Sequence, residues 1–291
     1  DDTENFSKAI NKNTRVVYIE TIGNPKLDIL DIESISKIAK KSKLPLIVDN
    51  TVATPYLLKP IEYGADIVIH STTKYITGNG TSIGGVIIDA GNFDWSNGLF
   101  HEFTEPSAGY HGLVYHEALG PAAFIAKVRI EGLRDLGSAP SPFNCFQTIQ
   151  GLETLSIRIK KHSENALKVA EWLENQDKVE WVNYPGLKSS KYYDLSKKYL
   201  KNGQSGIVTF GLKGGFDSAK KLTDNTKIFS LLANFGDSKS LIIHPSSTTH
   251  QQLNEEQQKS TGVTSDLVRL SIGLEDPVDL INDLKDALNS I

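Results

Sequence analysis

The chain has 291 residues, of which 39% are hydrophobic and 23% are charged, and its formal net charge is −4. This composition is typical of a soluble protein with a large and a smaller domain, and the negative charge argues against a broad nucleic-acid-binding surface. No apolar run reaches the roughly 20 residues of a membrane helix, and the chain does not open with a signal-peptide pattern.

The first half of the chain alternates apolar runs with helical patterns. Residues 15–20, Leu46–Asp49 and Ile67–Ile69 read as buried strands. Between the first two strands, the apolar residues of the stretch 32–39 recur at helical spacing. Strands that alternate with helices indicate parallel βαβ units, so we expect an α/β fold with a mostly parallel sheet.

Polar residues end these three strands. Glu20, Asp49 and His70 would lie at the same edge of a parallel sheet, where the ligands of open α/β sheets bind beyond the carboxyl ends of the strands. Lys74 follows the third strand closely. Asp49 and Lys74 are therefore candidates for one crevice, although they are far apart in the chain.

Lys74 comes directly after three hydroxylated residues, 71–73, and before a glycine-rich stretch that leads into another predicted strand, Val86–Ile88. Such a lysine is usually a solvated loop residue. An amine beside hydroxyl donors at a strand end also offers what a Schiff-base cofactor requires, which is a tether for its aldehyde and donors for its phosphate. The glycines resemble a dinucleotide-binding fingerprint, but that fingerprint opens a helix and here a strand follows.

The second half of the chain is less regular. Residues 91–115 are rich in glycine, aromatic and polar residues, and we expect an irregular, functional loop there. An amphipathic helix within residues 141–175 would bridge two domains. The remainder reads as α+β with a last helix that begins at Asp276, and its strands are predicted at residues 181–182, 207–210, 241–243 and 267–270. The expected domains are thus 1–140, the bridging helix, and 176–291.

Motifs that carry a family resemblance extend over essentially the whole chain. They are Glu20-Thr21-Ile22-Gly23-Asn24-Pro25, Val48-Asp49-Asn50-Thr51, the run from His70 to Gly80, Ser141-Pro142-Phe143-Asn144, Gly151-Leu152-Glu153-Thr154-Leu155, His162-Ser163-Glu164-Asn165-Ala166 and Val268-Arg269-Leu270-Ser271-Ile272-Gly273. The set resembles the Cys/Met-metabolism family of pyridoxal-phosphate-dependent enzymes. This resemblance implies the aspartate-aminotransferase-like transferase fold (fold type I), with a large domain and a smaller α+β C-terminal domain.

The resemblance also implies pyridoxal 5'-phosphate (PLP) as the cofactor and assigns roles around it. Lys74 would bind the cofactor covalently and move protons, which requires a pKa well below the ordinary value for lysine. Asp49 would face the pyridine nitrogen and keep it protonated. Asn24 would bind the ring's phenolic oxygen. Ser71 and Thr73 would bind the phosphate, with Thr51 as a weaker candidate near the ring.

Two further residues are expected at the substrate. Arg269 would bind the α-carboxylate through its guanidinium fork, since an arginine within an apolar strand needs a specific reason to be there. Ser240 would contact the same carboxylate through its main chain or hydroxyl. His244 and His250 are interpreted as mainly structural, and the seven histidines show no metal-binding spacing.

Within the family, the finer resemblance is to the sulfhydrylase branch, and residues 120–125, 132–137, 236–241 and 244–250 carry it. It implies a γ-replacement on O-acetyl-L-homoserine by sulfide or a small thiol, giving homocysteine or methionine and acetate. Two alternatives stay open. One is a cystathionine or methionine γ-lyase, or a cystathionine γ-synthase, of the same family; the other is a non-catalytic fragment that lacks half of the cofactor pocket.

The resemblance bears on completeness and assembly as well. Family members are longer at the N-terminal end, whereas this chain opens with Asp1 and contains no methionine, so an N-terminal part is expected to be missing from it. Active sites shared between subunits imply a homotetramer, arranged as a dimer of dimers. Cys145 is the only cysteine, which leaves no internal disulfide and favours a reducing, cytoplasmic location.

Overall fold

Two β-sheets form the centre of the computed structural model, which describes residues 2–291. The first sheet contains β1 (Val17–Glu20), β2 (Leu46–Asp49), β3 (Ile67–Ser71) and β4 (Gly85–Asp89), in that spatial order. The first three strands are parallel and β4 is antiparallel to β3. The predicted strands are therefore confirmed, and the carboxyl ends of the three parallel strands lie at one edge of the sheet.

Helices cover these sheets and connect their strands. They are α1 (Glu4–Ala9), α2 (Ile32–Lys41), α3 (Thr54–Leu57), α4 (His101–Thr104), α5 (Tyr115–Leu119), α6 (Ala123–Lys127), α7 (Pro142–Glu153), α8 (Leu155–Leu173), α9 (Tyr193–Tyr199), α10 (Gly215–Asn225), α11 (Glu255–Thr261) and α12 (Pro277–Asn289). Helix α2 begins where Asp31 accepts a hydrogen bond from the Ser34 amide at 3.3 Å. Its residues Ile32, Ile35 and Ala39 are buried, as the helical spacing predicts.

The segment that was expected to be an irregular loop, 91–115, has a core of its own. Trp95, Phe100, Phe103 and Tyr115 are buried together and pack on Ile67 of β3. Phe124 of α6 stacks on Trp95, with ring centroids 5.0 Å apart. The aromatic residues of this segment bury enough apolar surface to order it.

The predicted bridging helix is two helices, because the helical conformation is interrupted at Thr154, between α7 and α8. Ser141 caps α7 by accepting a hydrogen bond from the Asn144 amide at 3.1 Å, and Pro142 occupies the first turn. Helix α8 connects two cores. Its first residues Leu155 and Ile159 belong to the core beside the first sheet, and its later residues, from 166 to 173, belong to the core of the second sheet.

The second sheet is mostly antiparallel. Its strands are β5 (Val179–Asn183), β6 (Ile207–Leu212), β7 (Ser230–Leu231), β8 (Leu241–Ile243) and β9 (Leu267–Ser271), in the order β5-β6-β9-β8-β7. All four predicted strands are present, and the two-residue strand β7 was missed because it is short and exposed. Asp276 caps α12, where it accepts from the Val278 amide at 2.8 Å.

The division into domains at residues 140 and 176 remains a proposal. The core beside the first sheet also contains Tyr192, Tyr199, Leu200 and Ile207, which lie beyond residue 176. The two halves of the chain therefore share buried surface. No helix within residues 2–291 has the length and apolar character needed to cross a membrane.

Candidate active site

A cavity of about 220 Å3 lies at the carboxyl ends of the parallel strands. Its lining residues are Glu20, Ile22, Asn24, Asp49, Thr51, Val52, Ser71, Lys74 and Phe235. A larger, mainly apolar cavity of about 400 Å3 lies at the opposite end of the first sheet, among residues that begin the strands. The smaller cavity is the candidate site, because an amine, carboxylates, hydroxyls and an amide face it together.

Lys74 reaches this cavity from a π-helical turn, Thr72–Ile76, that directly follows β3. The backbone of Lys74 is not helical, with φ −90° and ψ −129°. The Lys74 Nζ donates a hydrogen bond to Asn234 Oδ1 at 2.5 Å and lies 4.8 Å from the centre of the Phe235 ring. The turn from the first sheet and a loop beside the second sheet thus meet at this amine.

Burial lowers the pKa of the Lys74 amine, and the nearby Arg269 cation lowers it further. Both causes disfavour the charged form of the amine. An amine with a lowered pKa is neutral in a larger fraction of molecules at a given pH. Because only the neutral form attacks a carbonyl carbon, Lys74 is chemically suited to bind an aldehyde.

Asp49 ends β2 and is held by two donors. The Thr51 amide donates to its Oδ1 at 2.9 Å, and the Tyr18 hydroxyl donates to its Oδ2 at 3.1 Å. Glu20 lies in register with Asp49 on the neighbouring strand. Burial raises the pKa of Glu20, and the Asp49 carboxylate raises it further. The site therefore contains two close carboxylates, a pair that favours a cationic or proton-donating ligand group beside them.

Arg269 lies on β9 and is nearly buried, with 9% of its surface exposed. It donates from Nη1 to Asn24 Oδ1 and from Nη2 to the Asn234 carbonyl oxygen, each at 3.1 Å. Burial lowers the pKa of Arg269 to about 10. Since both of these acceptors are neutral oxygens, the guanidinium can still bind a carboxylate with its fork.

Comparison with known proteins identifies the family. The family model described as "Cys/Met metabolism PLP-dependent enzyme" matches residues 1–289. The chain belongs to this family.

Relatives within this PLP-dependent family are similar over the whole chain. The O-acetyl-L-homoserine sulfhydrylase of Leptospira meyeri is 56% identical over 299 residues, which cover 100% of this chain and 68% of the relative. The homocysteine synthase of Schizosaccharomyces pombe is 48% identical over 291 residues, which cover 99% of this chain and 68% of the relative.

A solved structure supports the same assignment. It is a putative O-acetylhomoserine (thiol)-lyase from Campylobacter jejuni that carries a pyridoxyl-lysine monophosphate. This chain superposes on it with a TM-score of 0.95 at 46% identity, covering 99% of this chain and 69% of that one. The predicted fold, PLP-dependent transferase with an aspartate-aminotransferase-like architecture, is confirmed. The chain is a PLP-dependent enzyme.

The cavity has the donor chemistry that this cofactor needs. Lys74 supplies the amine, Asp49 a carboxylate, and Thr51 and Ser71 supply hydroxyl groups. The Ser71 amide donates to Thr51 Oγ1 at 2.8 Å, which joins the two strand ends. These residues fit a group that carries an aldehyde, a pyridine nitrogen and a phosphate.

Three residues from the sequence-based set, Arg269, Thr73 and Ser240, are not among those that line the cavity. Thr73 Oγ1 accepts from the Gly84 amide at 3.0 Å, which keeps it on the adjacent loop. Ser240 is fully buried, donates to Glu275 Oε2 at 2.8 Å and accepts from the Gly273 amide at 2.8 Å. The Ser240 amide is also bound to Glu275. A substrate contact at Ser240 therefore stays a prediction that its position does not favour.

The two residues that the sequence reasoning missed are Asn234 and Phe235. Phe235 lines the cavity and Asn234 accepts a hydrogen bond from the Lys74 amine. Gly236 allows this, because it approaches the lysine turn so closely that a Cβ there would lie 2.6 Å from the Tyr75 nitrogen. Gly236 also has a φ of +78°, which favours glycine. An aromatic residue followed by glycine between two strands is the only sequence signal, and it is weak.

Neither His244 nor His250 lines the cavity. Burial lowers the pKa of His250, and the Arg269 cation lowers it further. His244 is buried and bonded to Ser247 Oγ at 2.9 Å and to the Ser265 carbonyl at 2.8 Å, which is a structural arrangement. Burial lowers the pKa of His244. Across residues 2–291, no group of three or more His, Cys, Asp or Glu side chains is placed to hold a metal ion.

Proposed function

We propose that this PLP-dependent enzyme replaces the γ-acetoxy group of O-acetyl-L-homoserine with sulfide, giving homocysteine and acetate. The observation that carries the proposal is the Lys74 amine, whose pKa is lowered, in one cavity with Asp49 and beside Arg269. The relatives named as sulfhydrylase and homocysteine synthase support this reaction. A small thiol in place of sulfide would give the corresponding thioether, which for methanethiol is methionine.

When bound, PLP supplies an aldehyde that condenses with amines and a ring that accepts electrons from the α-carbon of an amino acid. Lys74 Nζ would hold the cofactor and then move the proton of the substrate's α-carbon. The Asp49 carboxylate would keep a proton on the pyridine nitrogen, and Asn24 would bind the phenolic oxygen. Ser71 would bind the phosphate together with Thr73, although Thr73 is held on the adjacent loop, and Thr51 is the weaker candidate near the ring.

Arg269 would bind the α-carboxylate of the substrate and so orient its α-carbon toward Lys74. The two residues already lie against the same Phe235 ring, with Lys74 Nζ at 4.8 Å and Arg269 Cζ at 5.9 Å from its centre. A carboxylate placed between the two cations would be attracted by both. This arrangement explains why the substrate would bind with its carboxylate end at the second sheet.

The test uses the purified protein loaded with PLP. We expect a visible absorption band of the lysine-bound cofactor and sulfide-dependent conversion of O-acetylhomoserine into homocysteine, detected by mass spectrometry. Lys74→Ala should abolish both. Lys160→Met is the matched control, because Lys160 is exposed on α8 and remote from the cavity. A wild-type protein without the band would end the proposal.

The same assay separates the alternative activities. A lyase would release a keto acid and ammonia from cystathionine or methionine without added sulfide, whereas the proposed enzyme consumes O-acetylhomoserine only with sulfide or a thiol. The names of the relatives favour replacement over elimination. The non-catalytic alternative is disfavoured, because the Lys74 amine and the Asp49 carboxylate line one cavity together with Asn24, to which the Arg269 guanidinium donates.

We further propose that the protein assembles into a homotetramer, arranged as a dimer of dimers. The surface formed by α7 and the start of α8 supports this assembly, because its large apolar residues are exposed. They are Phe143, Phe146, Ile149, Leu152 and Ile157, with exposed fractions of 51–73%. Contiguous apolar surface of this kind is typical of protein interfaces. A cytoplasmic location stays a prediction that cell fractionation can test.

A further inference from the structure

Arg158, on the first turn of α8, donates to the backbone that directly follows Lys74. Its Nη1 donates to the Tyr75 carbonyl at 2.7 Å, and its Nη2 donates to the Ile76 carbonyl at 3.0 Å. Nη2 also donates to the Gly151 carbonyl at the end of α7, at 2.7 Å. One guanidinium therefore joins three backbone carbonyls from two separate parts of the chain.

The side chain of Arg158 is itself held in place. Its Nε donates to Thr154 Oγ1 at 3.1 Å, so four of its five N–H groups are bonded. All four of these acceptors are neutral oxygens. Burial lowers the pKa of Arg158. A partly buried cation that is bonded only to carbonyls and a hydroxyl costs desolvation energy with no ion pair to offset it, which indicates that its contribution is the geometry of these bonds.

Two glycines make room for this contact. A Cβ at Gly78, where φ is +79°, would lie 2.3 Å from Arg158 Nη1. A Cβ at Gly151 would lie 2.4 Å from the Ile76 carbonyl oxygen and 2.5 Å from that of Thr77. The lysine turn, the end of α7 and the guanidinium therefore approach one another as closely as the backbone allows.

The same helix contacts Tyr75 a second time. The His162 ring, one turn after Arg158, lies 5.2 Å from the Tyr75 ring in an edge-on arrangement. Helix α8 thus holds the residue after Lys74 at its carbonyl and at its ring. Because the Lys74 backbone is outside the helical range, its conformation depends on such contacts from outside the turn.

We propose that Arg158 is a positioning residue for Lys74, and that its guanidinium fork fixes the backbone from which the reactive amine extends. This inference rests on the role proposed above for Lys74. Loosening the fork would let the amine move toward water and out of line with the α-carbon of the substrate. A misplacement of about 1 Å at a reacting group can cost up to about a hundredfold in rate.

The informative variant is Arg158→Lys, since lysine keeps the charge but cannot form the fork. The first readout is amide hydrogen exchange at Thr77 and Gly78, whose amides bond back to Thr72 and Lys74 across the turn at 3.0 and 2.8 Å. We expect exchange about tenfold faster or more, from the loss of charge-assisted hydrogen bonds. This measurement does not depend on the cofactor.

The second readout is kinetic and spectroscopic, in the PLP-loaded protein. We expect kcat to fall on the order of tenfold with KM nearly unchanged, and the pH midpoint of the cofactor band to move upward as the Lys74 amine becomes more solvated. Lys160→Met on the same helix is the control and should change neither. If Arg158→Lys does not fold, Thr154→Val removes the Nε acceptor, together with the bond from the Thr154 hydroxyl to the Gly151 carbonyl at 3.3 Å, and should give the same changes at smaller size.

The outcomes separate the two proposals. If Arg158→Lys folds and its amide exchange at Thr77 and Gly78 is as slow as in the wild type, or if its pH midpoint does not move, the positioning role is overturned. If the variant is less stable but amide exchange, kcat and the pH midpoint are all unchanged, Arg158 is only structural, and the positioning role is again overturned. A wild-type protein with no Lys74-dependent band contradicts the proposed function instead, while the exchange result still reports on the fork.

Discussion

At the scale of single residues, the reactivity of the candidate site depends on two cations that lie close together. Burial is the first reason for the lowered pKa of Lys74, and Arg269 is the second. Arg269 is buried as well and has a lowered pKa. Their like charges destabilise each other, and either loss of the Lys74 proton or a bound anion, such as the substrate carboxylate, would relieve that repulsion.

Replacing Arg269 with methionine should therefore raise the pKa of Lys74. An amine is mostly neutral at pH values above its pKa. The rate at which PLP attaches to the cofactor-free protein should therefore rise as the pH increases past the pKa of Lys74. In Arg269→Met this rise should move to higher pH, because the repelling cation is gone. Stopped-flow absorbance at a series of pH values measures the shift.

A control and a contrary outcome complete this prediction. Lys239→Met removes an exposed positive charge and should leave the pH profile unchanged. An Arg269→Met profile that coincides with the wild type would show that Arg269 does not tune the amine. The KM for O-acetylhomoserine should also rise in Arg269→Met, since the α-carboxylate loses its bidentate partner.

At the scale of secondary-structure elements, the end of α7 packs directly on the lysine turn. Gly151 is buried, and its α-carbon faces the carbonyls of Ile76 and Thr77. Helix α8 begins immediately afterwards and carries Arg158 to the same turn. The break at Thr154, which separates the two helices, therefore positions both of them around the residues that follow Lys74.

Gly151→Ala should destabilise the protein, although alanine is the better helix former. The added Cβ would meet backbone oxygens at 2.4 and 2.5 Å, and backbone cannot rotate away as a flexible side chain can. Overpacking of this kind costs about 1–3 kcal/mol in the free energy of unfolding. Urea unfolding followed by circular dichroism measures the change.

Gly132→Ala is the matched control for that substitution. Gly132 lies in another helical segment, and a Cβ there would meet only Val128 Cγ1 at 4.0 Å. We expect an unchanged or slightly increased stability, because alanine has less backbone freedom to lose on folding than glycine. Equal effects of the two substitutions would contradict the packing argument at Gly151.

At the scale of the whole molecule, α8 ties the two sheets together. It contributes to both large cores. The domain division at residues 140 and 176 stays a proposal, and the core beside the first sheet includes residues beyond 176. The exposed apolar face of α7 is a feature of the same region and underlies the proposed assembly.

Substituting this face should change the state of assembly. Phe146→Ser together with Ile149→Ser removes two side chains that are each 57% exposed, so the fold of one chain should be little affected. Mass photometry should show smaller particles than the tetramer expected of the wild type. Leu136→Ser, at an apolar residue that is 82% exposed outside α7, serves as the control. A double variant that stays tetrameric would exclude this face as an interface.

Much of the architecture is determined locally and was therefore readable from the sequence. The strands of both sheets follow apolar runs, and helices α2 and α12 follow apolar spacing and the capping residues Asp31 and Asp276. The positions of Asp49 and Lys74 after parallel strands predicted that they share one cavity, and they do. Strand ends in a parallel sheet meet at one edge whatever the rest of the chain does.

Other features were decided only by the tertiary structure. The aromatic residues between 91 and 115 form a core because they pack on β3, and no local sequence pattern predicts that contact. Asn234 and Arg158 meet the lysine turn from 160 and 82–83 positions away, and Ser240 is turned toward Glu275 rather than the cavity. Local sequence determines which elements form, whereas contacts between distant residues depend on how those elements pack, which periodicity and spacing do not encode.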